Sequence, residues 1–438
     1  MSLIDIYWES LIIRDVKGRM ILDSRGNPTV QVKVITEGYG VGVANAPSGA
    51  STGTHEAVEL RDGDKEFFGK GVKKAVENVN KIIAPALIGM NAAKQREIDN
   101  KMIEIDGTEN KSRLGGNAIV ATSLAVAKAA AATIGLPLYM YLGGKVADTL
   151  PVPLLNIING GVHAGNKLDF QEFMIVPAGF NHFLDAIRAS VETYHALKTI
   201  LKDKYGPLAI NVGDEGGYAP PLEKARDALD LLVKAIEKAG YEPGKNIALA
   251  LDAASSRLFR EDRKIYVLTG ENKELSREEL IAFYEELVRD YPIVSIEDPL
   301  HEEDFEGYAV ITKELGSKVL IVGDDLFTTN YKRLARGIEL GASNAILVKV
   351  NQIGTLTETM DVVKLAHENN YRTIISHRSG ETEDTSIADI VVGLNAKLIK
   401  TGAPARSERT AKYNRLLEIF EELENPRYPG FSVFPRKP

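Results

Sequence analysis

The chain has 438 residues, 44% hydrophobic and 26% charged, with 38 glycines, 18 prolines and no cysteine, a size that suits two or three domains, or one barrel with an appendage. The missing cysteine excludes disulfide frameworks, thiolate metal sites, iron–sulfur clusters and cysteine nucleophiles, so any metal has to be held by oxygen or imidazole. A formal charge of −8, from 53 Lys and Arg against 61 Asp and Glu, argues against nucleic acid as a partner.

Met1 to Trp8 contains Asp5 and no basic residue, so the positively charged start of a signal peptide is not seen. The most apolar stretch, from Ala118 to Leu136, is alanine-rich and broken by Lys128, which reads as a buried helix and not as a membrane span. A cytoplasmic protein is the expectation. In chain order, Leu11 to Leu22, Thr29 to Thr36 and Gly38 to Ala46 have strand character, the first two separated by the turn Ser24-Arg25-Gly26-Asn27-Pro28. Helical periodicity follows near 55–62, 71–88, 93–105 and 116–134, the last stopping at Gly135 with Pro137 just beyond. Strands first and helices afterwards predict an α+β cap domain over residues 1–142. Within it, Ser48-Gly49-Ala50-Ser51-Thr52-Gly53 lacks the lysine of a Walker loop, so residues 47–54 are expected to be a mobile lid.

From Pro151 the texture changes to eight short apolar runs: Val152 to Ile158, Phe173 to Val176, Ile247 to Leu251, Ile293 to Ile296, Val319 to Val322, Ala345 to Val348, Thr373 to Ile375 and Lys397 to Ile399. Helical patterns lie between most of them, two with capping-box starts at Ser276-Arg277-Glu278-Glu279 and Thr355-Leu356-Thr357-Glu358. This rhythm predicts a (β/α)8 TIM-type barrel over residues 143–438. Only Asn159 to Asp169 separates the first two runs, too little for a helical crossover, so they should pair antiparallel. Two helices, near 182–204 and 222–239, then precede the third strand, which makes the barrel irregular, of the form ββαα(βα)6.

The first ionisable residues after the last six runs are Asp252, Glu297, Asp324, Lys349, His377 and Lys400. In such a barrel the C-terminal strand ends share one mouth, where catalytic groups gather. A single charged residue at the start of a loop is ordinary solvation; six in succession point to a site. Three neighbouring carboxylates suit Mg²⁺, a hard cation that keeps open positions for substrate. A lysine beside a dication is driven toward its neutral form, and a neutral amine can take a proton. Phosphate sites in this fold follow strands seven and eight, where His377-Arg378-Ser379-Gly380 and Lys400 stand, so the expected substrate is a phosphorylated anion. Mg²⁺, a base and a phosphate clamp together suggest proton abstraction next to a carboxylate. The glycine-bounded Asp214-Glu215 and the hairpin loop with His163, followed by Glu172, add acids and an imidazole at the same mouth.

Asp23 to Thr29, Ser48 to Gly53, Gly213 to Gly217, Ser295 to Pro299, Leu347 to Thr355, Ser376 to Asp384 and Lys400 to Arg409 resemble the motifs of the enolase family, in order and over nearly the whole chain. The resemblance implies interconversion of 2-phosphoglycerate and phosphoenolpyruvate. It implies that Asp252, Glu297 and Asp324 hold a tightly bound Mg²⁺, and that Ser51 helps hold a second one bound with substrate. Lys349 resembles the base at carbon 2, Glu215 the acid at the carbon-3 hydroxyl and Glu172 that acid's partner. His163, His377, Arg378, Ser379 and Lys400 resemble substrate contacts. By the same resemblance a homo-oligomer, dimer or octamer, is implied, with a secreted or cell-surface fraction known among family members. Two features depart from the pattern: Arg257 stands where the family carries an acid, and about ten residues including Trp8, the only tryptophan, extend the N-terminus. An acid-sugar dehydratase or racemase would need no phosphate clamp, a Schiff-base aldolase would need no row of carboxylates, and an idle scaffold would need neither.

Overall fold

Val30, Val32 and Val34 are fully buried on one face of a strand, and that period-2 pattern organises the first part of the molecule. The computed structural model describes residues 8–49, 53–161 and 164–438. Strands β1 (Ile13–Leu22), β2 (Pro28–Thr36) and β3 (Val41–Asn45) form an antiparallel meander in the order β1-β2-β3. Its apolar face lies on the helix Gly116–Thr133, whose alanine-rich surface is buried almost all round. The sheet comes very close to this helix at Gly42, where an added Cβ would stand 2.0 Å from the Ala125 carbonyl oxygen. The glycine-spaced third strand is thus explained by packing.

The expected helix near 71–88 is present as Lys73–Asn78, a π-helical segment Val79–Ile83 and Ala84–Leu87. The helix expected near 55–62 does not form. Residues 57–62 instead run extended across the face between cap and barrel: Ala57 N–H donates to the Gln352 carbonyl, Val58 N–H to Asn110 and Asp62 N–H to Gly71. These long-range partners replace the internal bonds of a helix, a tertiary override of local periodicity.

The second part is a closed barrel of β4 (Val152–Asn159), β5 (Glu172–Val176), β6 (Ala248–Asp252), β10 (Ile293–Glu297), β11 (Leu320–Gly323), β12 (Ala345–Val348), β13 (Arg372–Ser376) and β14 (Lys397–Lys400). Strand β5 pairs antiparallel with both neighbours, β4 and β6, and the other barrel pairings are parallel. Helices Phe183–Tyr205 and Ala225–Lys238 follow β5 in succession, giving the irregular ββαα start. A three-stranded sheet not foreseen from the sequence, β7 (Phe259–Arg260), β8 (Ile265–Leu268) and β9 (Lys273–Leu275), decorates the loop after β6. Val152, Leu154, Met174, Val176, Ala250, Val322, Leu347, Ile374 and Leu398 fill the barrel interior, while the alternate residues pack outward on the helices. No single helix among the described residues is long and apolar enough to cross a membrane.

Cap and barrel are stitched by the loop after β13. Ser48 and Gly380 exchange backbone hydrogen bonds of 2.7 and 2.8 Å, Ser24 N–H donates to the Glu381 carbonyl, and Asp384 accepts from Lys128 and from the Asn45 N–H. Trp8 is half exposed, and its carbonyl accepts from Asn91.

Candidate functional site

The barrel's two-residue alternation delivers charge to its mouth. Ala248 and Ala250 face inward, and the next step on the same face is Asp252; Leu320 and Val322 lead to Asp324, Ala345 and Leu347 to Lys349, and Leu398 to Lys400. Strand β5 runs the other way, so its first residue, Glu172, is opposite Asp252 in register, and Asp252 in turn is opposite Glu297. The turns that follow are tight: Ala254 and Asp298 both have positive φ. They are held by bonds from Ser255 N–H to the Asp298 carbonyl and from Asp298 N–H to Val322.

These side chains line one cleft at the barrel mouth, with Gln171, Glu172, Glu215, Asp252, Asp324, Lys349, His377, Arg378, Ser379 and Lys400 on its walls. Arg257 is exposed on its rim. Lys400 Nζ lies in the middle of the acids, 3.1 Å from Glu172, 3.1 Å from Asp252 and 2.8 Å from Glu297. Burial opposes its charge, but Asp252, Glu172 and Glu297 outweigh burial and hold its pKa well above the ordinary lysine value. Burial, reinforced by Glu215, raises the Glu172 carboxyl well above the usual range. Burial, reinforced by Asp252, does the same to Glu297.

Lys349 Nζ is 2.5 Å from Asp324 Oδ2, and Gln352 donates to the other oxygen of Asp324 at 2.9 Å. The protein groups alone therefore set Lys349 opposite to the expectation of a neutral amine. Burial disfavours its charge, yet the Asp324 carboxylate outweighs burial and its pKa is raised. The ion pair with Asp324 thus favours the protonated amine over the neutral form that could accept a proton.

The carboxylates fit a hard dication. Buried Glu172, Glu215, Asp252 and Asp324 line the cleft, and its two lysines are already shared among acids, Lys349 with Asp324 and Lys400 with Glu172, Asp252 and Glu297. Among the described residues Glu172 Oε2 has no hydrogen-bond partner. The set offers oxygen atoms only, as Mg²⁺ prefers. A second trio, Asp298, Asp324 and Asp325, also brings its oxygens within 4.8 Å of one another. Both oxygens of Asp298 are already committed, however, to the Tyr308 hydroxyl and the Asp324 and Asp325 N–H groups. Asp298 is a turn-maker, whereas Asp252 and Glu297 lie on Lys400 and Asp324 on Lys349.

Arg378 forks onto Glu56 of the cap, with Nη1 2.9 Å from Oε2 and Nη2 3.3 Å from Oε1, and also donates to Asn351. Lys400, expected among the phosphate donors, lies deeper, inside the carboxylate cluster. Glu215, in the loop between the two consecutive helices, accepts from Asn156 at 2.9 Å and faces His377 Nε2 at 3.7 Å. His163 and Ser51 lie outside the described residues. Gln171, Glu56 and Arg409 escaped sequence reasoning. Gln171 donates to Asp252, and its place beside Glu172 was a usable signal. Glu56 and Arg409 reach the site through long-range pairing that no local pattern announces.

Two family models match the chain: "Enolase, N-terminal domain" over residues 13–142 and "Enolase, C-terminal TIM barrel domain" over residues 147–436. The chain is 65% identical over 422 residues to the enolase of Pyrococcus furiosus, covering 96% of each chain. It is 62% identical over 425 residues to that of Thermococcus kodakarensis, covering 97% of each. It is also 62% identical over 411 residues to that of Methanopyrus kandleri, covering 94% of this chain and 96% of the relative.

Proposed function

The chain belongs to the enolase family, and from that premise we propose which of its residues carry each part of the reaction it catalyses, the reversible dehydration of 2-phosphoglycerate to phosphoenolpyruvate. The observation that supports the assignment best is the convergence of Glu172, Asp252, Glu297, Asp324, Lys349 and Lys400 at one end of the barrel.

Asp252, Glu297 and Asp324 would hold Mg²⁺, with Ser51 contributing to a second ion that arrives with substrate. Bound there, Mg²⁺ would supply positive charge to steady the negative charge that develops on the substrate carboxylate. Lys349, in its neutral form, takes the proton from carbon 2 onto Nζ. Glu215 gives a proton to the departing carbon-3 hydroxyl, which leaves as water, and Glu172, its own carboxyl held well above the usual range by burial and by Glu215, acts as that acid's partner. Arg378 and Ser379 receive the phosphate, with His377 and His163 donating hydrogen bonds. Lys400 supplies fixed positive charge among the acids beside the substrate carboxylate.

We assign residues 1–142 to the cap and 143–438 to the barrel, with 47–54 as the segment that closes over substrate. A cytoplasmic homo-oligomer completes the proposal, and sedimentation distinguishes dimer from octamer. The test of the reaction is direct. Purified protein with Mg²⁺ and 2-phosphoglycerate should gain the ultraviolet absorbance of phosphoenolpyruvate, and chelation should stop it. Lys349→Ala should abolish exchange of the carbon-2 proton with solvent while still binding Mg²⁺; retained exchange would move the base elsewhere.

A further inference from the structure

Among the described residues Arg409 is one of the largest fully buried side chains, with no exposed surface. It sits in the first turn of the helix Ser407–Glu422, yet it spends its donors on two loops of the barrel mouth. Nη1 lies 2.6 Å from His377 Nδ1 and 2.6 Å from the Arg378 carbonyl oxygen; Nη2 lies 2.7 Å from the Ser379 carbonyl and 3.0 Å from that of Asp214. We propose that Arg409 is a positioning residue for the reaction, holding His377 as its neutral Nε2–H tautomer and fixing the loop of His377 against the loop of Glu215.

A guanidinium has five N–H donors, no acceptor, and keeps its proton inside proteins. The ring nitrogen that meets it must therefore present a lone pair, which leaves the imidazole proton on Nε2. Nε2 has no hydrogen-bond partner among the described residues and looks across 3.7 Å at Glu215 Oε1. An N–H on that side is a donor to Glu215 or to an oxygen of the substrate; a lone pair there would repel both. The groups that face His377 are Arg409 from the last helix, Glu215 from the helix–helix loop, Lys400 from β14 and Lys349 after β12. Only Glu215 among them favours an imidazolium, and burial together with Arg409 moves the ring's pKa well below the usual histidine value. The second half of the proposal follows from the same fork. Asp214, whose carbonyl it holds, precedes Glu215, whose own carbonyl accepts from Ala403 N–H at 2.9 Å. One side chain thus sets the gap between the proposed acid and its imidazole neighbour. Lysine, with a single ammonium in place of a planar fork, cannot serve both loops in this geometry.

The inference rests on the placement of His377 and Glu215 in the active site, and its test reads the imidazole itself. In the full-length protein labelled with 15N-histidine, the His377 resonances are identified by their loss in His377→Gln. They should show a pyridine-type Nδ1 and a pyrrole-type Nε2 from about pH 5 to about pH 8. A pyrrole-type Nδ1, or an imidazolium near neutrality, in the unmodified protein overturns the proposal without any variant having to fold. In Arg409→Lys and Arg409→Met, His377 should lose the single tautomer, and in Arg409→Met its pKa should move upward, with burial still holding it below the ordinary histidine value. kcat should fall about tenfold or more and its pH profile should follow that shift, with KM changed less. A folded variant whose imidazole pattern and pH profile match the unmodified protein also overturns it, as does lost activity with the tautomer intact. Full activity in His377→Gln would instead remove His377 from the site reading and leave the tautomer result standing.

Discussion

Arg378 and Glu56 show how much of a site a single residue pair can anchor. Both side chains are almost fully enclosed, and each is the other's counter-charge across the boundary between cap and barrel. Breaking a buried pair from one side leaves a charge that water cannot reach, at a cost of about 3–5 kcal/mol. Glu56→Ala should therefore lower the denaturation free energy by about that amount. It should also raise KM for 2-phosphoglycerate, because Arg378 loses a partner that aims it; an unchanged urea midpoint would mean that Asn351 and the neighbouring acids suffice to hold the guanidinium. The residues read from the sequence and those missed differ in a simple physical respect. Asp252, Asp324, Lys349 and Lys400 extend an apolar two-residue alternation, so the strand itself points them at the mouth. Glu56 and Arg409 lie on a loop and on a distant helix, where direction is decided only when the whole chain has folded.

Among elements, the contact of β3 with the helix Gly116–Thr133 tolerates little change. An added methyl at position 42 meets backbone, the Ala125 oxygen and the Ala129 nitrogen at 2.4 Å, and neither can swing aside as a side chain would. Gly42→Ala should cost about 3 kcal/mol, the upper end for overpacking, readable as a fall in urea midpoint with the barrel's active-site chemistry otherwise intact. Local start signals were legible where the element satisfies itself. The capping box at Ser276 is complete, with Ser276 and Glu279 each accepting from the other's N–H. At Thr355 only half of the box forms: Thr355 Oγ1 accepts from Glu358 N–H, while the Glu358 carboxylate goes to the Thr355 hydroxyl and to Lys111. The segment 57–62 misled for the same reason, since its backbone partners come from elsewhere in the chain.

At the scale of the whole molecule, the joint between cap and barrel has a pH limit. Burial works against the Asp384 charge, but Lys128 and the hydroxyl and N–H of Ser386 win, and its pKa is lowered. A depressed folded pKa contributes stability that is present in full above the unfolded value of about 3.9 and is lost as pH falls through the folded one. The urea midpoint should therefore drop on acidification below about pH 4, and Asp384→Asn should remove part of that drop while lowering stability at neutral pH. An acid limb identical in Asp384→Asn would place the sensitivity in other carboxylates. The reversed strand β5 has a wider consequence. Two neighbouring strands that run oppositely demand an even number of chain passes between them, and the two helices that separate β5 from β6 meet that parity. The turn joining those helices must then fall at the mouth end, the end where β5 begins. Glu172 and Glu215 thus reach the cleft by one topological decision: a single added or deleted helix in this stretch would send the Glu215 turn to the far side of the barrel, whatever residues it carried.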